Sequence, residues 1–174
     1  MPAQLFVSLL ALIIVLVVML AEQRYSLANE RTLRERGATE PQNDVYSIMR
    51  LTYPAAFVAM AIEGALSDSQ PGVLTVIGAA VFLASKGLKY WAIASLGPRW
   101  TFRVLVPPDA SFVTSGPYTF LRHPNYLGVI GELIGMAMLV GARVTGPIST
   151  IVFALVLLKR IRIEDQALRH PPCS

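Results

Sequence analysis

The sequence predicts an all-α fold, an integral membrane bundle of five transmembrane helices with a structured cytoplasmic loop before helix four. Three observations predict it. Of 174 residues, 54% are hydrophobic and only 15% charged, with a mean hydropathy of +0.55; a soluble domain carries about a quarter charged residues. The apolar residues fall in five blocks divided by short polar stretches, and the basic residues gather beside alternate ends of those blocks. The same balance excludes a disordered chain, which needs low hydrophobicity and high net charge. A single cysteine, Cys173, excludes a disulfide framework or a cysteine-based zinc site.

The blocks can be taken in order. Residues 5–21 carry no charge, residues 51–66 carry only Glu63, and an apolar run from residue 73 continues through Ser85-Lys86-Gly87 to Leu96. Residues 126–142 carry only Glu132, and residues 144–158 carry no charge. A spanning helix needs roughly 17–25 mostly apolar residues. The first and fourth blocks reach that length alone, the second and fifth reach it with their flanks, and the third crosses and then emerges. Helix is the expected state throughout, because lipid offers no partner to an unpaired backbone group. We read residues 1–174 as one domain.

Charge supports the count independently. Arg24, Arg31, Arg34, Arg36 and Arg50 follow block one; Lys86, Lys89, Arg99, Arg103 and Arg122 lie at or beyond the end of block three; Lys159, Arg160, Arg162 and Arg169 follow block five. Every basic residue except Arg143 thus falls on one side, which the positive-inside rule makes cytoplasmic, with the N-terminus outside and the C-terminus in the cytoplasm. The net charge of +4 is then a topology signal rather than a nucleic-acid footprint, and the lipid bilayer is the expected partner. Block one lacks a preceding Lys or Arg, so it is expected to span rather than to be a cleaved leader. Cys173 is not expected to be a prenylation site, since Pro171 holds the position fourth from the end.

Chemistry concentrates in residues 97–125. This stretch is long for a bundle connection, and long structured loops are usually functional. It contains Trp100, Arg103, Tyr118, Arg122, His123 and Asn125, with Pro117 and Pro124 restricting the residues before them. Arg, His and Trp there are equally consistent with an interfacial anchor. In block four, Gly128, Gly131 and Gly135 share one helix face, which suits close helix packing or room for a ligand. Glu63 and Glu132 are ionisable residues within expected spans, where such groups mark interior positions. Arg160 and Glu164, four apart, can pair on one face. A tight turn between blocks four and five would return both beside His123 and Tyr126, merging two polar clusters at one surface.

The strings Phe112-Val113-Thr114-Ser115-Gly116-Pro117-Tyr118 and Arg122-His123-Pro124-Asn125-Tyr126-Leu127-Gly128, with Arg160 and Glu164-Asp165, resemble the isoprenylcysteine carboxyl methyltransferase family over about residues 85–168. The resemblance is to its short bacterial type, associated with O-methylation of alkylpyrone lipids, and extends to Lys89-Tyr90-Trp91 and Leu96-Gly97. It implies an integral membrane enzyme using S-adenosyl-L-methionine. By the same resemblance, cofactor contacts would come from Arg103, Ala110, Ser111, Phe112, Val113, Tyr118, His123, Pro124, Asn125, Tyr126 and Glu164, and Arg160 would be the catalytic residue facing the acceptor. Arg103 falls where eukaryotic members have glutamine, and Ala110 where they often have histidine.

A displacement at a sulfonium methyl carbon mainly needs its partners aligned, and positioning can supply roughly 7–11 kcal/mol of a barrier. An ionised carboxylate or enol acceptor would need no strong base, with Arg160 orienting its oxygen. The acceptor expected is lipophilic, entering from the bilayer, while the cofactor arrives from the cytoplasm. Two other readings share the Gly-Pro-Tyr and Arg-His-Pro strings or the composition: a nicotinamide-dependent membrane reductase and a non-enzymatic membrane scaffold.

Overall fold

The structure, a computed structural model, describes residues 3–41, 43–68, 70–108 and 112–169. Five helices account for most of it: α1 (Ala3–Glu35), α2 (Tyr46–Leu66), α3 (Val73–Leu96), α4 (Pro124–Val140) and α5 (Thr145–Arg169). Among the described residues there is no strand, only one isolated antiparallel bridge between Thr39 and Val106. The all-α expectation holds, and each helix falls on one of the apolar blocks.

Helix α1 has 33 residues, roughly 50 Å at the helical rise, longer than the hydrocarbon of a bilayer. Its buried stripe runs Gln4, Ser8, Ala11, Val15, then Glu22, Ser26, Asn29, Glu30 and Leu33. The spacing is helical, but the residues are small or polar, so the outer face is the more apolar one. That inversion is what a helix in lipid requires. Helix α1 and the run Val73–Arg99 are each long and apolar enough to cross a membrane. Exposed leucines, isoleucines and valines such as Leu51, Leu66, Leu83, Ile151 and Leu155 cover the outside of the other helices too.

Helices α3 and α4 form the most extensive contact in the bundle, and the glycines explain why. A Cβ added to Gly135 would lie 2.6 Å from the Phe82 nitrogen, and one on Gly128 would lie 3.0 Å from the Lys89 Cβ. The shared glycine face of α4 therefore serves backbone-to-backbone packing. Phe57, Met60, Leu133 and Met136, all fully buried, fill the centre. Gly141, at φ 72°, ends α4 in the left-handed conformation and turns the chain into α5. Glu63 caps the start of α5, accepting from the backbone amides of Val144 at 2.9 Å and Thr145 at 2.7 Å. Its charge sits against the positive end of a helix dipole, away from the polar clusters.

Candidate active site

The polar half of α1 fixes the segment that leaves α3. Asn29 Nδ2 donates to the Trp100 carbonyl at 2.8 Å, and Ser26 Oγ accepts from the Phe102 amide at 2.8 Å. Thr39 and Val106 exchange backbone hydrogen bonds at 3.0 and 2.9 Å. Trp100 is buried, stacked on Tyr25 with ring centroids 5.8 Å apart. Further along, Pro117 stiffens the short 3-10 turn Gly116–Thr119, and His123 and Pro124 open α4, where a missing amide hydrogen costs nothing.

One carboxylate organises this end of the molecule. Asp44 Oδ1 accepts from Arg160 Nη1 at 2.6 Å and from the Tyr46 amide at 3.2 Å, while Oδ2 accepts from the Val104 amide at 3.0 Å. Arg160 Nη2 donates to the Phe102 carbonyl at 2.6 Å, and Nε to the Tyr126 hydroxyl at 3.3 Å. Each guanidinium nitrogen is therefore engaged, and both side chains of the Asp44–Arg160 pair are only 4% exposed. The Tyr126 hydroxyl in turn donates to Glu164 Oε2. Arg160 and Glu164 thus meet through Tyr126, and the two polar clusters converge as the turn between α4 and α5 requires.

Two cavities flank this hub. A cleft of about 520 Å³ is lined by Phe112, Tyr118, His123 and Glu164 together with Trp100 and Arg103. A second cavity of about 380 Å³ lies between α1, α2 and α5, lined by Leu16, Met19, Met49, Tyr53 and Phe153. Thr101, Asn125, Tyr126 and Arg160 border both. The rim of the second cavity includes Leu20 and Arg50, which are exposed.

The residues expected at the site are distributed as follows. Arg103, Phe112, Val113, Tyr118, His123, Asn125, Tyr126, Arg160 and Glu164 all line the cleft. Pro124 is buried as the first residue of α4 and does not line the cleft. Ala110 and Ser111 lie outside the described residues. The guanidinium of Arg103 is already bound, to Glu40 Oε1 at 2.6 Å and near Glu30 Oε2 at 3.5 Å, and it covers the Tyr46 ring. His123 stacks on Tyr126 with centroids 5.6 Å apart, and its Nε2 faces Asp165 Oδ1 at 3.3 Å.

Three electrostatic features follow. Burial pushes the Tyr118 phenol well above its ordinary value, and the charge of Glu164 adds to the effect. Burial opposes ionisation of Glu40, yet hydrogen bonds from Arg103 and Arg34 outweigh it and hold the carboxyl below its ordinary value. Asn125 Oδ1 and His123 Nε2, both on cleft-lining residues, are buried without a hydrogen-bond partner. Buried polar atoms are normally satisfied; Asn125 Oδ1 is an acceptor open to a ligand's N–H or O–H, whereas His123 Nε2 already faces Asp165 Oδ1 at 3.3 Å.

Deeper in the bundle lies a charge cluster that no spacing motif signalled. Glu22 of α1 binds Lys86 at 2.9 Å and Lys89 at 2.7 Å, and Glu132 of α4 binds the same lysines at 2.9 and 3.4 Å. Tyr53 of α2 donates to Glu132 Oε2 at 2.8 Å. All four charged residues are buried. Lys86 and Lys89 are thus internal cations, not surface ones, and cannot serve as the topology markers that the sequence suggests. Glu132 is an interior group, as an ionisable residue in an apolar block implies.

Comparison with known proteins gives three matches. A family model described as the isoprenylcysteine carboxyl methyltransferase (ICMT) family matches residues 75–170. An uncharacterized Bacillus subtilis protein, YpbQ, is 34% identical over 92% of this chain and 96% of its own length. An uncharacterized protein of Haemophilus influenzae is 26% identical over 83% of this chain and 85% of its own length. No solved structure matches significantly.

Proposed function

Because the chain belongs to the isoprenylcysteine carboxyl methyltransferase family, we propose that it is an S-adenosylmethionine-dependent O-methyltransferase acting at the membrane on a lipophilic acidic acceptor. Methyltransferase activity and membrane association come with the family, and its members generally use S-adenosylmethionine. The cofactor, the acceptor class and the residue roles are our reading of the site.

The observation that carries it is the meeting of two unlike cavities at one polar hub. The cleft, at about 520 Å³, falls within the roughly 300–1,000 Å³ of small-molecule sites. Its residues fit an adenosyl amino acid. Tyr118 and Phe112 offer ring faces, Glu164 a carboxylate for hydroxyl or ammonium groups, and the vacant Asn125 Oδ1 an acceptor for an N–H. When bound, the cofactor supplies an electrophilic methyl group. The second cavity suits the apolar part of an acceptor. Its exposed rim lies on α1 and α2, the route by which a lipid-like molecule would enter sideways.

In this reading Arg160, fixed by Asp44 and the Phe102 carbonyl, holds the Tyr126 hydroxyl and aligns the acceptor oxygen between the cavities. Preorganised donors of this kind act without reorganising during reaction. We place the hub on the cytoplasmic side of a cell membrane, with five spans and the N-terminus outside. Transfer of a labelled methyl group from S-adenosylmethionine to alkylpyrone or thioether-acid acceptors tests the assignment. Arg160→Ala and Glu164→Ala are expected to lose most of the transfer. Full activity in both would remove the assignment.

A further inference from the structure

Methylating an oxygen acid releases a proton unless the acid arrives ionised. The second cavity is poorly suited to an anion. Its walls include Leu16, Met19, Met49 and Phe153, and the internal cations that border it are already matched. Arg160 is paired with Asp44 at 2.6 Å, and Lys89 with Glu22 at 2.7 Å. Arg50 stands at the exposed rim. An anion gains little in such surroundings and loses its hydration, so the protonated form is favoured.

The group waiting at the inner end is a hydroxyl, not a free cation. Tyr126 borders both cavities, donates its proton to Glu164 Oε2 and accepts from Arg160 Nε at 3.3 Å. Glu164 opens onto the cleft. We propose that Tyr126 and Glu164 form a proton relay serving a neutral, lipophilic O–H acid, an enol or a protonated carboxylic acid, drawn from the bilayer. The proposal rests on the methyltransferase reading above and deepens it.

The step balances. An acceptor lone pair forms the O–CH₃ bond as the S–CH₃ bond breaks, its electron pair staying on sulfur. The acceptor proton passes to Tyr126 Oη while the Tyr126 proton passes to Glu164 Oε2, from which water in the cleft removes it. Arg160 Nε stays bonded to Oη and stabilises negative charge that builds there. The other titratable or charged groups around the pair are His123, stacked on Tyr126; Tyr118, which feels the charge of Glu164; Asp44, behind Arg160; and Asp165 with Arg122, beyond His123. Glu22, Lys89 and Tyr53 border the second cavity from the other side.

The test uses the full chain in lipid nanodiscs, a long-chain 4-hydroxy-2-pyrone as acceptor and S-adenosylhomocysteine as donor-site probe. In donor-free protein, the ultraviolet spectrum of the bound pyrone is expected to be that of the neutral form, at a pH where free pyrone is ionised. Tyr126→Phe and Glu164→Gln, both at the donor cleft, are compared with wild type at donor concentrations that saturate each protein, as fixed by S-adenosylhomocysteine titration of each. Both should lose roughly 10²–10⁴-fold in transfer, the range of general acid–base catalysis. In Tyr126→Phe the loss should shrink as pH rises above the acceptor's own pKa. An ionised pyrone spectrum, an unchanged rate in both variants, or a loss equal at every pH overturns the relay. Wild-type protein that ignores S-adenosylhomocysteine overturns the methyltransferase reading itself, and the relay with it.

Discussion

Asp44 and Arg160 are separated by 116 positions in the chain, yet their side chains meet at 2.6 Å with almost no exposure to solvent. The pair joins the connection between α1 and α2, the segment that follows α3, and the far end of α5. Asp44 also lies outside the matched residues 75–170, so the N-terminal helices complete the hub rather than merely flank it.

Removing one partner of a buried pair strands the other charge, at a cost of about 3–5 kcal/mol. Asp44→Ala is expected to lose stability in that range by thermal or denaturant unfolding. Asp44→Asn keeps one acceptor oxygen, enough for Arg160 with the Tyr46 amide or for the Val104 amide but not for both, and should lose less than Asp44→Ala. Equal stability in all three proteins would show that Arg160 has another anchor.

The Glu22–Lys86–Lys89–Glu132 cluster should behave as a unit. Glu22→Leu alone leaves two lysines sharing Glu132, and Lys89→Leu alone leaves an excess carboxylate. Each is expected to destabilise by about 3–5 kcal/mol. The double variant retains a matched Lys86–Glu132 pair and should fall well short of the sum. Simple additivity in a double-mutant cycle would mean that the charges do not interact.

At the α3–α4 contact, Gly135→Ala forces a methyl group against the Phe82 backbone. A cost of about 1–3 kcal/mol is expected from overpacking. Gly87→Ala, whose Cβ would meet nothing within 4 Å, is the matched control and should be neutral or stabilising.

Acid should loosen the ties around Arg103. Glu40 is held below its ordinary value of 4.5. Its contribution is complete above that value and is lost as pH falls through the lower, folded-state value. Hydrogen exchange of residues 101–106 is expected to accelerate in wild type as pH falls below that ordinary value. A Glu40→Gln protein should already exchange faster at neutral pH and show a smaller acid response; an unchanged acid response would assign it to other carboxylates.

The helices were legible because lipid imposes a length and a composition that apolar blocks such as residues 126–142 display directly. The convergence of Tyr126, Arg160 and Glu164 was legible too, since a Gly141 turn must return α5 alongside α4. Asp44 was not, because a lone aspartate in a polar connection carries no spacing that ties it to an arginine far along the chain. Nor was the inward stripe of Glu22, Ser26, Asn29 and Glu30: polar residues at helical spacing after an apolar run read as a solvated extension. Lys86 and Lys89 misled for the related reason that charge at a block end looks interfacial, whereas both side chains turn inward to Glu22 and Glu132.

Calorimetric titration of the purified chain in nanodiscs with S-adenosylhomocysteine, and in parallel with NADPH, tests the central claim most directly. Saturable binding of the first near one molecule per chain, weakened by Asn125→Ala and Tyr118→Ala, with silence from the second, is the expected result. Binding of NADPH instead, or of neither, would contradict it.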